Sequence, residues 1–280
     1  MYRDIIIVTT YCRPEFLYLT LENIHAARGS ENKEIWIYHD KKFDDETYFE
    51  KELQDMAIVV AYWKDVFGDR LHAVMREPNG YYGNSFNVLE AYKKAYQTDA
   101  KYVYLIEDDV FITPDFFEWH ESAQRLENFC SIAGKRDNLI CPNLKVDCFL
   151  STEYASLGVC FPRENLQCVV SHANRAYYSN LGQYILQKFP GSKMGTQAQE
   201  QDGMIQRVME QLCQVATWST KCKAFHIGIY GYHRILDPAA KITGSLAGRI
   251  EIYRKTLSDQ NWLTEISGGI QTDLQAFPRA

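Results

Sequence analysis

The sequence lacks any apolar run long enough to cross a membrane. A spanning helix needs about 20 consecutive apolar residues, and no segment of the 280 residues approaches that length. The chain begins Met1-Tyr2-Arg3-Asp4 and passes directly into a short apolar segment, without the n-region, long h-region and cleavage site of a signal peptide. We therefore predict a cytoplasmic protein with no membrane span.

The chain also lacks the motifs of several common binding sites. None of the 8 cysteines belongs to a C-x-x-C pair or has a histidine at zinc-finger spacing. We expect the cysteines to be small buried hydrophobic side chains in a reducing compartment. No Walker-type phosphate loop and no dinucleotide fingerprint occur. The formal net charge of −6 disfavours nucleic acid as partner or acceptor without excluding it, because a basic groove can persist in an acidic chain.

The first half of the sequence alternates short Ile/Val-rich segments with helical patterns. This alternation is typical of a parallel α/β sheet, whose strands are buried on both faces. The predicted strands span residues 4–10, 34–39, 71–76 and 101–106. The predicted helices span residues 14–27, 47–66 and 83–97, and a further helix is expected to start at Thr113-Pro114-Asp115 with Thr113 as N-cap.

The second half is less regular. Short strands are predicted at 139–141, 158–161 and 223–229, and helices at 163–175, 177–189, 198–213 and 249–257. No internal repeat, low-complexity segment or clear linker interrupts the chain. We therefore predict one compact α/β domain.

The strongest candidate for chemistry is the Glu-Asp-Asp triplet at 107–109, which directly follows the apolar strand 101–106. Ligands of open α/β sheets bind outside the carboxyl ends of strands. Three adjacent carboxylates repel one another unless a cation or hydrogen bonds compensate, and Mg²⁺ or Mn²⁺ binds carboxylate oxygens together with substrate phosphates. The alternative is a solvated acidic turn.

The triplet together with the segment 113–118 (T-P-D-F-F-E) resembles the D-x-D region of GT-A glycosyltransferases. The similarity is greatest to the E-D-D and P-D-F-F-E segments of the Golgi N-acetylglucosaminyltransferase I family. The resemblance implies a GT-A fold, a Rossmann-like, mostly parallel sheet flanked by helices with an irregular acceptor-side C-terminal half. It also implies that Asp109 holds Mn²⁺ or Mg²⁺ against the nucleotide diphosphate and that Asp108 faces the sugar or ribose of the donor.

The same resemblance assigns residues near three other predicted strand ends to the donor. Thr9, Thr10 and Arg13 follow the first strand, and the planar fork of Arg13 suits the oxygens of a diphosphate; the alternative is an exposed arginine at a helix start. Asp40, after the second strand, would lie near base and ribose, or be a simple turn residue. Asn84, in an Asn/Gly-rich turn, would bond the base or serve only as an N-cap.

The resemblance also supplies a candidate general base. The segment 199–204 (Q-E-Q-D-G-M) is similar to the W-D-D-W-M stretch that carries the base in the Golgi family, with Asp202 at the second acid. Asp202 lies three residues before Ile205, on the apolar face of the predicted helix. Both tryptophans are absent, so Glu200 is the alternative base. Residues 156–158 (S-L-G) resemble the G-L-G stretch that precedes the base in that family. The alternative for Asp202 is an acid that is favoured at a helix start by the helix dipole alone.

The last candidates lie in a Gly-rich segment, residues 226–234. In several GT-A families a C-terminal histidine completes the metal shell, which makes His226 and His233 candidate ligands, although the Golgi family does not need one. A packed or solvated histidine is the alternative for each. Arg234 is a candidate phosphate contact.

These residues together predict a metal-dependent, inverting glycosyltransferase. A nucleotide-sugar donor, with UDP favoured by the resemblance, would give a hexosyl or N-acetylhexosaminyl group to a hydroxyl of a glycan or another acceptor. The domain would comprise a nucleotide-binding half at 1–110, an acceptor and catalytic half at 111–235, and a C-terminal loop and helix at 236–280. Two alternatives remain, a non-catalytic sugar-nucleotide or glycan-binding relative and a sugar-1-phosphate nucleotidyltransferase. The second is disfavoured because its Gly-rich, Lys/Arg-bearing N-terminal loop is absent.

Overall fold

The computed structural model describes residues 3–40, 50–75, 83–134, 147–191, 200–227 and 244–259. The strands in these ranges are β1 (Asp4–Thr10), β2 (Lys33–His39), β3 (Leu71–Met75), β4 (Tyr102–Glu107), β5 (Val110–Ile112), β6 (Cys130–Ile132), β7 (Cys148–Ser151), β8 (Val159–Pro162), β9 (Ala216–Ser219) and β10 (Ala224–His226). The α-helices are α1 (Pro14–Ala26), α2 (Glu50–Phe67), α3 (Asn84–Tyr96), α4 (Phe116–Ala123), α5 (Leu166–Val170), α6 (Arg175–Ser179), α7 (Leu181–Lys188), α8 (Gln201–Gln211) and α9 (Leu246–Asp259).

Eight strands form one mixed, mostly parallel sheet in the order β3-β2-β1-β4-β8-β6-β9-β7. The first four are parallel to one another. β8 runs antiparallel to β4 and β6, β9 is parallel to β6, and β7 is antiparallel to β9. β5 and β10 make a separate antiparallel pair. The carboxyl ends of β2, β1 and β4 therefore lie side by side along one edge of the sheet.

The four parallel strands are those predicted from the sequence, each within one residue of its predicted limits. Their consecutive apolar residues reflect burial on both faces of the sheet. In β1, Ile5 and Ile7 belong to the core that contains α3 and α8. Ile6 and Val8 point to the opposite face, into the core formed with α1, α2 and α4.

The predicted start of α4 is wrong by two residues. Thr113 does not act as its N-cap; instead the Phe116 N–H donates to the Thr113 carbonyl oxygen at 3.1 Å. The Thr113 hydroxyl donates to Asp115 Oδ1 at 2.6 Å, and the helix begins at Phe116 with Asp115 in the N-cap position. The Thr-Pro-Asp segment therefore forms a turn that precedes the helix.

The second half contains shorter elements than the sequence predicted. The expected helix at 163–175 is broken, and the region up to 188 contains α5, α6 and α7. The side chains of Asn174 and Asn180 accept hydrogen bonds from Tyr177 N and Gln183 N, so each asparagine caps a new helix. The predicted strand at 139–141 lies outside the described residues.

The predicted burial of the cysteines is confirmed only in part. No disulfide joins the cysteines of the described ranges, and Cys12, Cys130 and Cys160 are buried. Cys213 is exposed, contrary to prediction: α8 ends at Gln211, and Cys213 lies in the turn that follows, with a positive φ of 51°.

Within the described ranges, no helix combines the length and apolarity that a membrane span requires.

Candidate active site

The acidic triplet at the end of β4 sends side chains to both faces of the sheet, as the alternation of a strand requires. Asp108 lies on the side of α1, where its Oδ2 accepts from Thr10 Oγ1 at 2.6 Å. The main-chain oxygen of Asp108 accepts from Thr20 Oγ1 at 2.7 Å. Glu107 lies on the side of α3, where its Oε1 accepts from Asn84 Nδ2 at 3.3 Å. The alternative of a solvated acidic turn is thus excluded for Asp108, which is fully buried.

Arg13 joins the two aspartates at the start of α1. Its Nη2 donates to Asp108 Oδ1 and its Nη1 donates to Asp109 Oδ2, the latter at 2.7 Å. The side chains of Arg13, Asp108 and Asp109 are 18%, 0% and 6% exposed. Because buried carboxylates need a counter-ion, Arg13 compensates the charge of the site. It is not the exposed helix-start arginine that the sequence left open.

Burial and local charge act in opposite directions on the two aspartates. Burial raises the pKa of Asp108 to about 6, even though the charge of Arg13 favours its ionised form. Burial also disfavours the ionised form of Asp109, but hydrogen bonds and charge from His226 and Arg13 outweigh it and hold that pKa below its usual range. Asp109 is therefore ionised at neutral pH, which is the form that binds a metal.

Strand β10 brings His226 next to Asp109. His226 Nε2 lies 3.1 Å from Asp109 Oδ2, and the N–H of Ile227 donates to the main-chain oxygen of Asp109 at 2.7 Å. Adjacent ligands of an octahedral ion with bonds of ~2.1 Å are about 3 Å apart, and manganese accepts carboxylate ligands. The pair therefore fits a divalent ion, although no group of three or more potential ligands occurs in the described ranges. His233 and Arg234 lie outside the described residues.

Further contacts hold the start of α3 against the ends of β1 and β2. The buried Asp40 accepts from the Gly83 N–H at 2.8 Å and donates its own N–H to the Thr10 carbonyl oxygen at 3.0 Å. Gly83, with a φ of 97°, occupies the N-cap position, so Asn84 is the first residue of α3 and not its cap. The carbonyl oxygen of the buried Thr9 accepts from Asp108 N at 3.0 Å. The described residues predicted to bind the donor thus lie close together at this edge: Thr9, Thr10, Arg13, Asp40, Asn84 and Asp108.

Asp202 lies in the first turn of α8, as predicted, with Glu200 in the N-cap position. Its Oδ2 accepts from Ser156 Oγ at 3.0 Å, and its Oδ1 is buried with no partner among the described residues. Burial raises the pKa of Asp202 to about 6; Glu200 adds to this shift and Ser156 opposes it. Burial and the charges of Asp109 and Asp202 raise the pKa of Glu107 to about 8. The charges of Asp109 and Asp202 therefore both act on Glu107.

The sequence predicted no separate role for Glu107 or Thr20. The period of two in a strand is a signal that would have separated Glu107 from Asp108, because neighbouring side chains point to opposite faces. No comparable local signal identifies Thr20, which lies 88 residues from its partner Asp108. Only the fold brings such residues together.

No protein-family model and no curated protein matches the sequence. Among solved structures, S. aureus TarS 1–349 in complex with UDP-GlcNAc matches 98% of this chain and 78% of its own, with a TM-score of 0.51 and 13% identity. The galactosyltransferase LgtC in complex with donor and acceptor sugar analogs matches over 98% of this chain and 100% of its own, with a TM-score of 0.50 and 9% identity. The chain has the GT-A fold.

The GT-A fold predicted from the acidic triplet is thus confirmed, whereas the finer resemblance to N-acetylglucosaminyltransferase I stays a prediction. A third match is the mannosyltransferase PcManGT from Pyrobaculum calidifontis in complex with GDP-Man and Mn²⁺, with a TM-score of 0.44 and 16% identity. It covers 60% of this chain and 47% of that protein, so the chain spans about half the length of PcManGT. In this GT-A chain, the predicted site residues that are described lie at the ends of β1, β2, β4 and β10 and at the starts of α1, α3 and α8.

Proposed function

We propose that this GT-A chain is a metal-dependent, inverting glycosyltransferase that moves a sugar from a nucleotide-sugar donor to an acceptor hydroxyl. The observation that carries the proposal is the convergence of two kinds of group. Asp109 and His226 form a pair suited to a divalent ion, and Asp202 is a shielded carboxylate with a pKa raised to about 6. The charges of both aspartates raise the pKa of Glu107, so both groups act on the same carboxyl group.

Asp109 and His226 would hold Mn²⁺ or Mg²⁺, with His233 as a further proposed ligand. When bound, such an ion neutralises the charge that develops on the departing diphosphate. Arg13 contributes a second positive charge, and its planar guanidinium group can donate two parallel hydrogen bonds to phosphate oxygens. Asp108 orients Arg13, because it accepts from both Nη2 and Nε of that side chain.

The donor site would comprise the residues gathered at the edge of the sheet. Asp40 and Asn84 would contact the base and ribose, and Thr9 and Thr10 would lie along the nucleotide. Arg234 would add a phosphate contact. The start of α3 strengthens such a site, because the first N–H groups of a helix attract anions. We favour UDP as the nucleotide, a hexose or N-acetylhexosamine as the sugar, and a glycan hydroxyl as the acceptor.

Asp202 would act as the general base. It would take the proton of the acceptor hydroxyl while that oxygen attacks the anomeric carbon from the face opposite the diphosphate, which inverts the configuration. A carboxylate with a pKa of about 6 is ionised at neutral pH and is more basic than an exposed aspartate. Glu200 is the alternative base, and its N-cap position places it one residue before α8.

Calorimetric titration tests the donor site directly. We expect UDP or GDP to bind the wild-type protein in the presence of Mn²⁺, and Asp109→Ala to abolish the metal-dependent part of the binding, since it removes the ionised metal ligand. Glu118→Ala is the matched control, because Glu118 is an exposed acid that pairs with Arg28. Absence of binding of either nucleotide would contradict the proposal. Binding without sugar transfer in any assay would favour the sugar-nucleotide-binding alternative.

Ser156→Ala is expected to shift the pH dependence of the reaction upward. The Ser156 hydroxyl stabilises the charged form of Asp202, so its loss raises the pKa of Asp202 further. Because the base must be ionised, activity is lost as the pH falls through that pKa. The acid limb of kcat/KM should therefore move up by about one pH unit, since a hydrogen bond to a charged group contributes ~1.5 kcal/mol.

The shift is measured as release of nucleotide from the nucleotide sugar between mildly acidic and neutral pH. Ser122→Ala serves as the control, because the Ser122 hydroxyl is exposed and bonds the carbonyl oxygen of Glu118 within α4. An acid limb that stays in place or moves to lower pH would show that Ser156 does not act on the base.

A further inference from the structure

The first turns of α3 and α8 are joined by a reciprocal pair of hydrogen bonds. Ser85 Oγ donates to Gln201 Oε1 at 2.9 Å, and the main-chain N–H of Gln201 donates to Ser85 Oγ at 3.1 Å. Both residues are buried, with Ser85 8% and Gln201 2% exposed. One hydroxyl therefore acts at once as donor and acceptor toward a residue 116 positions away.

The pair replaces the cap that α8 does not form for itself. The first N–H groups of a helix have no partner within the helix, and the side chain of the N-cap residue usually accepts one of them. The N-cap residue of α8, Glu200, makes no such side-chain bond. Ser85 instead accepts from the first N–H of α8, so the start of this helix is fixed by α3.

The residues on either side of this pair belong to the proposed site. Asn84, which precedes Ser85, donates to Glu107 at 3.3 Å. Asp202, which follows Gln201, is the proposed base. The same turn of α3 is held from the donor side, where Asp40 accepts from the N–H of Gly83. The cap of α3, Gly83, and the first two residues of the helix, Asn84 and Ser85, thus contact the donor side, the acidic triplet and α8 respectively.

We propose that Ser85 and Gln201 are positioning residues that set the location of Asp202 relative to the donor site. The inference rests on the proposed glycosyl transfer with Asp202 as base. Neither residue touches the reacting atoms in this role; Ser85 acts on Asp202 through the first turn of α8. Displacement of a reacting group by about 1 Å lowers a rate on the order of a hundredfold, so a buried cap next to the base has a large effect on the rate.

The test uses the full chain and measures release of UDP or GDP from UDP-N-acetylglucosamine, UDP-galactose and GDP-mannose, where water is the acceptor. Ser85→Ala removes both hydrogen bonds to Gln201, together with a side-chain hydrogen bond to Tyr177, and is expected to lower kcat about tenfold to a hundredfold. KM for the donor and the calorimetric affinity for the nucleotide should stay unchanged. Gln201→Met removes the side-chain bond but keeps the N–H bond, and should have a smaller effect on kcat in the same direction.

Two comparisons separate positioning from a general loss of packing. Ser131→Ala removes another buried serine hydroxyl. Ser131 lies on β6, away from the site, and bonds His120 and Gln124, so its substitution is expected to lower the melting temperature but leave kcat unchanged. In an Asp202→Asn background, Ser85→Ala is expected to cause no further loss of the residual rate, because the group that it positions is already gone.

The outcomes distinguish this inference from the proposed function. The positioning role would be overturned by a full kcat in Ser85→Ala, by an equal loss of kcat in Ser131→Ala, or by an undiminished effect of Ser85→Ala in the Asp202→Asn background. In each of these cases an active wild-type protein would still support the proposed glycosyltransferase function. A wild-type protein that binds no nucleotide and turns over none of the three donors would overturn both.

Discussion

Asp202→Asn is expected to lower the turnover of the nucleotide sugar about 10²–10⁴-fold with unchanged affinity for the nucleotide. Asparagine keeps the size of the side chain and can still accept from the Ser156 hydroxyl, which lies 3.0 Å from Asp202 Oδ2, but it cannot take a proton. The loss should therefore fall on kcat. Release of nucleotide gives the rate, and calorimetric titration with Mn²⁺ gives the affinity.

Glu200→Gln is the matched control for this substitution, because it neutralises an acid only two residues away. Glu200 occupies the N-cap position without a side-chain cap bond, so its neutralisation should leave the start of α8 intact. It should also lower the pKa of Asp202, since the charge of Glu200 raises that pKa. A large loss of kcat in Glu200→Gln together with an active Asp202→Asn would show that Glu200, and not Asp202, is the base. An equal loss of nucleotide binding and turnover in Asp202→Asn would exclude the base assignment.

The parts of the fold that the sequence predicted are those with a strong local signal. The strands of the parallel half consist of consecutive apolar residues buried on both faces, and the helices between them bury a continuous stripe. The strands β6, β7 and β9 have only three or four residues each, which is too short for a periodic pattern. The breaks between α5, α6 and α7 depend on the caps Asn174 and Asn180, which a pattern of apolar residues does not reveal.

The sequence predicted where the residues of the candidate site lie but not which contacts they make. Strand ends are visible in the sequence, and they predicted that Asp40 and the triplet 107–109 lie at one edge of the sheet. Whether Arg13 would be exposed or would pair with Asp108 depends on a contact between residues 95 positions apart, which only the parallel pairing of β1 and β4 determines. The cap that Ser85 provides to Gln201 has the same origin, since α3 and α8 meet only in the folded chain.

Arg249→Met is expected to lower the free energy of unfolding by about 3–5 kcal/mol. Arg249, on α9, is 4% exposed and donates to the carboxylates of Glu15 on α1 and Asp55 on α2, and its Nη1 donates to the Gly244 carbonyl oxygen at 2.8 Å. Methionine retains much of the apolar volume but leaves two buried carboxylates without their guanidinium partner. Urea unfolding followed by circular dichroism measures the change.

Arg254→Met on the same helix is the matched control, because the Arg254 side chain is 34% exposed and pairs with Glu22 and Glu251 nearer the surface. Such partly exposed pairs contribute about 0–1 kcal/mol, so its effect should be several times smaller. Adding Glu15→Gln and Asp55→Asn to Arg249→Met should restore part of the lost stability, because neutral amides are less unfavourable in the interior than carboxylates that have lost their guanidinium partner. Equal losses in the two arginine variants, or no recovery in the triple variant, would show that α9 is held in place by its apolar contacts with α1 around Ile250 and Tyr253 and that the buried charges contribute little.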